Sequence, residues 1–115
     1  MSCFFPKSLR LLKRSEFQQT WRQGRKKHTP HFIVVIHRHG GETSRLGITA
    51  SRKTGNAVAR NRIKRLVREF FRTQFSFLNE GADISVIAKQ GAARLDYAAV
   101  RCELGGLFRD EGLVS

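Results

Sequence analysis

The amino-acid pattern predicts an α+β fold: a single-domain α/β sandwich in which helices pack on a small, mostly antiparallel sheet. Three observations carry the prediction. Residues 31–38 and 83–89 are rich in β-branched side chains with apolar residues at alternate positions. Residues 56–78 contain neither Gly nor Pro and repeat their apolar residues at helical spacing. The chain has 115 residues, enough for one modest core, and contains no repeat or linker that would divide it.

The elements follow in order. Ser15 to Gln18 has the Ser-x-x-Gln form of a capping box, which predicts a short helix over 15–23 with Gly24 as its left-handed terminator. Arg25-Lys26-Lys27-His28 reads as a polar connection. Residues 31–38 read as a strand, with Phe32, Val34 and Ile36 on one face and Ile33 and Val35 on the other. Residues 39–43, with Gly40 and Gly41, read as a turn, which makes residues 45–51 the second strand of a hairpin.

The long helix over 56–78 gathers Ala59, Ile63, Leu66, Val67 and Phe70 on one arc. Asn61, Lys64, Arg65, Arg68 and Arg72 fall on the opposite arc, with Arg60 and Arg62 at its edges. The strand over 83–89 turns Ile84, Val86 and Ala88 to the core. A last helix over 96–108 buries Tyr97, Val100, Leu104 and Phe108, with Leu107 beside them. Residues 1–14 read as a flexible basic N-terminal segment of the single domain 1–115.

Charge narrows the function. Lys and Arg number 22 against nine Asp and Glu, for a net charge of +13. Eighteen of those bases and only three acids lie in residues 1–79. A chain this self-repelling calls for a polyanionic partner, and nucleic acid is the first candidate. A membrane surface fits less well, because the face opposite the charges is the protein's own apolar stripe. No apolar run approaches the length of a membrane span, about 18 residues. Residues 1–14 lack the continuous apolar stretch of a signal peptide, so the expected location is cytoplasmic. Cys3 and Cys102 are expected to be free thiols.

The charge concentrates in residues 52–72, where eight bases face one acid, Glu69. Like charges at i,i+4, as in Lys64/Arg68 and Arg68/Arg72, weaken an isolated helix. The apolar stripe must hold it, and a polyanion would relieve the repulsion. Arg suits this role because its planar fork matches phosphate oxygens. Thr54-Gly55-Asn56 would add backbone N–H groups at the helix N-terminus.

Protein-borne catalysis has no visible machinery. The acids are scattered, and Ser15, Ser51 and Ser85 have no evident base partner. His28, His31, His37 and His39 lack the cysteines or spacing of a zinc set. The expectation is no catalytic residue, no bound metal and no small-molecule substrate.

The string Lys53-x-Gly55-Asn56-Ala57-Val58-x-Arg60-Asn61-Arg62-x-Lys64-Arg65 resembles the signature of the bacterial ribonuclease P protein component. Glu16-Phe17 with Trp21 four residues on, Gly47, Ile87-Ala88 and the run from Ala92 to Tyr97 extend the resemblance over nearly the whole chain. The resemblance implies a left-handed βαβ crossover, four strands, and a protein subunit that assists an RNA-catalysed, Mg²⁺-dependent removal of the 5′ leader of precursor tRNA. Its implied partners are ribonuclease P RNA and precursor tRNA, with no membrane partner. It implies that Lys53, Arg60, Asn61, Arg62, Lys64, Arg65 and Arg68 face the RNA subunit. Phe17, Trp21, Ile33 and Val35 would line the leader cleft. Flat aromatic and aliphatic walls beside cations suit unpaired bases on general grounds. A ribosomal protein or RNA chaperone would fit the composition equally well; the 53–68 motif favours the first reading. A DNA-binding domain or stand-alone nuclease is the third, and a nuclease would need acids that are absent.

Overall fold

A computed structural model describes residues 14–38, 45–74 and 82–110, and the side chains of all of these except 14–17, 74 and 110. The elements are α1 (Arg14–Gln23), β1 (Arg25–His28), β2 (Phe32–Arg38), β3 (Arg45–Thr49), α2 (Ala57–Gln74), β4 (Ala82–Ala88) and α3 (Tyr97–Asp110). Single 3₁₀ turns at Arg52–Thr54 and Ala92–Arg94 precede α2 and α3. The expected flexible segment, Cys3, the turn over 39–43, the Ser15 and Phe17 side chains and the helix beyond residue 74 lie outside the described residues.

The sheet has four strands in the order β1-β2-β4-β3. The β1/β2 and β2/β4 pairs are antiparallel, while β3 and β4 run parallel and are connected through α2. This is the α+β architecture expected, with two corrections. Residues 25–28 form the fourth strand rather than a connection. Residues 45–49 do not form a hairpin with 32–38; they pair with β4 instead. The reason is burial. Six of the seven residues of β4 are buried, so it must lie between neighbours. The shorter β3 ends in exposed Thr49 and suits an edge. Arg45 and Asp83, partners in that parallel register, lock it with Nε–Oδ1 and Nη2–Oδ2 bonds of 3.1 and 2.8 Å.

One sheet face carries the main core. Phe32, Val34, Ile36, Leu46, Ile84, Val86 and Ala88 meet Ile63, Val67, Phe70 and Phe71 of α2 and Val100, Leu104 and Phe108 of α3. Phe71 joins the stripe beyond the arc expected from the sequence. The Phe71 ring meets Phe70 and Phe108 edge-on at 5.2 and 5.3 Å between centroids. The starts of α2 and α3 are each capped by the residue before them: Asn56 Oδ1 accepts the Ala59 N–H at 2.9 Å, and Asp96 Oδ1 accepts the Ala99 N–H at 2.8 Å.

α1 packs on the opposite face, against β2 and β4. Beneath it Val35, Ser85 and Gly47 are buried, as is Thr20 of the helix itself. Gly24 ends α1, but not through a left-handed backbone, since the described residues with positive φ are Gly55 and Gly91. It is required by close approach. A Cβ there would stand 2.6 Å from both the Thr20 carbonyl oxygen and Val35 Cγ1.

Candidate nucleic-acid interface

The apolar stripe of α2 fixes which of its cations face outward. Ile63 and Val67 are buried, so residues on the far side of the turn must project away from the core. Asn61, Lys64, Arg65 and Arg68 together line an open depression of about 430 Å³. Among the described residues, no hydrogen bond or ion pair engages Asn61, Lys64 or Arg65. A shallow hollow walled by Lys64, Arg65 and Arg68 concentrates positive charge and is complementary to phosphate.

The 3₁₀ turn holds Lys53 beside the start of α2. Ser51 Oγ accepts the Lys53 N–H at 3.3 Å, and the Thr54 hydroxyl donates to the Ser51 carbonyl at 2.6 Å. Gly55 closes the turn at φ +142°, and a Cβ there would meet Ala59 Cβ at 2.8 Å. Both facts demand glycine. The Lys53 side chain is exposed. Because Asn56 already caps the helix, the N-terminal N–H groups are partly spoken for.

The remaining arginines are used differently from one another. Arg62 donates from Nη2 to the Leu95 carbonyl at 2.8 Å and from Nε to the Ala93 carbonyl at 3.4 Å. Its fork ties α2 to the segment that leads into α3. Arg60 is half-buried, and its Nε–H has no acceptor among the described residues. Arg72 is engaged by Glu69 one turn earlier, with Nε 2.9 Å from Oε1. The sequence therefore located the basic face but assigned one outward role to arginines that the structure separates.

A second surface lies on the α1 side of the sheet. Register aligns His28, Ile33, Ile87 and Thr49 in one row across all four strands. The parallel row of Lys26, Val35, Ser85 and Gly47 is largely covered by α1, whereas the first row stays open: Ile33 and Ile87 are half-buried, and His28 and Thr49 are exposed. Trp21 borders it with 43 % of its surface accessible. Trp21 and Ile33 thus reach this surface. Val35 does not: it is fully buried, packed against the Gly24 end of α1, which removes it from direct contact with any ligand. Phe17 belongs to α1, but its side chain lies outside the described residues. Ile87 and Thr49 were missed because their membership depends on the β2/β4 and β3/β4 registers, which no local pattern encodes.

Sequence reasoning also missed Glu103. Its carboxylate, on α3, accepts from the Thr29 hydroxyl and from the His31 backbone N–H at 2.8 Å, and Oε1 lies 2.9 Å from His31 Nδ1. Burial pushes the carboxyl pKa up, but the Thr29 and His31 hydrogen bonds outweigh it and hold the group below its ordinary value. The cluster fastens α3 to the entry of β2. No group of three or more His, Cys, Asp or Glu side chains suited to a metal ion comes together among the described residues, and Cys102 is a free, exposed thiol.

Known proteins resemble this chain in sequence and fold. The ribonuclease P family matches residues 5–111. The ribonuclease P protein component of Desulforapulum autotrophicum is 47% identical over 105 residues, covering 91% of this chain and 90% of that protein. That of Geotalea uraniireducens is 48% identical over 104 residues, covering 90% and 91%. The ribonuclease P protein of Staphylococcus aureus superposes with a TM-score of 0.86 at 32% identity, covering 95% of this chain and all of the other. That of Thermotoga maritima gives 0.79 at 35% identity, covering 88% and 96%. With its 53–65 motif spanning the 3₁₀ turn and the first turns of α2, the chain belongs to the ribonuclease P protein family, the protein component of the endoribonuclease that matures tRNA 5′ ends.

Proposed function

We propose that this protein, as the protein subunit of ribonuclease P, docks the RNA subunit on the α2 face and receives the single-stranded leader of precursor tRNA on the open row of the sheet. The observation that carries the reading is the depression walled by Asn61, Lys64, Arg65 and Arg68. Its cations suit the backbone of a folded RNA, with Lys53 and Arg60 beside them. The fork of Arg62 contributes by holding the 93–95 segment under the same helix. Trp21, Ile33, Ile87 and Thr49 offer a flat, mixed surface on which bases can lie without being read individually.

In this reading the RNA subunit carries out phosphodiester hydrolysis with Mg²⁺ and the protein contributes binding energy and orientation. No helix among the described residues is long and apolar enough to cross a membrane. We place its work in the cytoplasm, where precursor tRNA would be its substrate. Reconstitution with a ribonuclease P RNA at low Mg²⁺ tests the proposal. The protein should restore precursor cleavage that the RNA alone performs poorly, and the protein alone should cleave nothing. Cleavage by RNA-free protein would overturn it.

A further inference from the structure

β1 is an edge strand made entirely of Arg25, Lys26, Lys27 and His28. Lysines on an edge discourage another strand from adding to its bare N–H and C=O groups. That role alone does not account for where two of these side chains stand. The register pairs Lys26 with Val35 and His28 with Ile33, so both share the sheet face that carries the open row. As alternate residues they lie about 6.6 Å apart along the strand, a step comparable to that between neighbouring phosphates of an extended single strand.

Lys26 also leans onto the exposed aromatic residue of this surface. Its Nζ sits 4.6 Å from the centre of the Trp21 ring and donates to the Trp21 carbonyl at 2.8 Å. Among the described residues no carboxylate pairs with Lys26 or His28. Lys26 and His28 therefore stand at the border of the flat row, at the sheet edge opposite β3, beside which α2 packs. A second copy of the chain is a poor occupant, because it would bring the same positive strand to this edge. A polyanion is complementary to it.

We propose that β1 is a phosphate-contacting border of the row: Lys26 and His28 hold the backbone of the precursor's 5′ leader while its bases rest on Trp21, Ile33 and Ile87. The inference rests on reading the row as the leader site. Holoenzyme carrying Lys26→Gln with His28→Gln tests it, titrated with leader-bearing precursor and with mature tRNA over a range of salt. Affinity for the precursor should fall about tenfold, the scale of one or two charge-assisted contacts to phosphate. The log–log salt slope for the precursor should become shallower by about one, given roughly 0.7 per phosphate on a single strand.

Affinity for mature tRNA and for the RNA subunit should stay at wild-type values, and Lys26→Arg with His28→Arg should restore precursor binding. Unchanged precursor affinity and slope would reduce β1 to a guarded edge and overturn the inference. So would an equal loss toward mature tRNA or in subunit assembly. Wild-type holoenzyme that fails to prefer precursor over mature tRNA would instead overturn the leader-site reading itself.

Discussion

The Arg62 guanidinium donates to the Leu95 carbonyl oxygen at 2.8 Å, across 33 residues of sequence. Arg65, one turn further along α2, has no partner within the described chain. The two arginines of one motif should thus fail differently. Arg62→Ala should lower stability by about 1 kcal/mol, a fall in Tm of about 4–8 °C. Lys64→Ala with Arg65→Ala should leave the melting temperature near wild type and weaken RNA-subunit binding at least about tenfold. Thermal unfolding and an RNA-subunit titration on both variants separate the roles.

Gly24→Ala should be costly despite the small change. The new methyl would sit 2.6 Å from the Thr20 carbonyl oxygen and 3.0 Å from the Ile36 carbonyl oxygen, and backbone cannot step aside as a side chain can. Overpacking of this kind costs about 1–3 kcal/mol. Urea unfolding should show a lower midpoint with an unchanged slope.

Glu103 should make stability depend on acid pH. Its folded pKa is depressed below 4.5, so its contribution is present above the unfolded pKa and is lost as pH falls through the folded value. Glu103→Gln should be less stable than wild type at pH 7, and the gap should close below about pH 4. Denaturant melts of both proteins from pH 7 to pH 3 read this directly.

Trp21→Ala should lower the preference for leader-bearing substrate about tenfold, the scale of a single base stacked on an aromatic ring. Because 43 % of Trp21 is accessible, stability and RNA-subunit affinity should change little. Parallel losses in precursor and mature tRNA binding would assign the ring to packing instead.

What the sequence revealed was what lies in periodicity. The α2 stripe, the β2 alternation and the α3 stripe of Val100, Leu104 and Phe108 all recur in the structure. β1 was hidden because Arg25 to His28 contain no apolar residue to alternate, and only pairing with Ile33 to Ile36 makes them a strand. The partner of β3 was hidden because strand neighbours are a property of the whole sheet. Adjacent strands joined by a turn suggested a hairpin, but the near-complete burial of β4 required flanks on both sides. Among the candidate site residues, residue chemistry pointed to Lys64, Arg65 and Trp21, whereas the bonds of Arg62 to the 93–95 backbone and the burial of Val35 depend on contacts with residues remote in sequence.

β4 lies between β2 and β3, yet it is the last strand to be synthesised. Until residues 82–88 leave the ribosome, β3 has no hydrogen-bonded neighbour and the parallel connection cannot close. Pairing between segments this distant is intrinsically slow, and it exposes apolar edges while it waits. α2 is thus complete before the sheet beneath it can close, so its apolar stripe waits on the emergence of a strand that follows it in the chain.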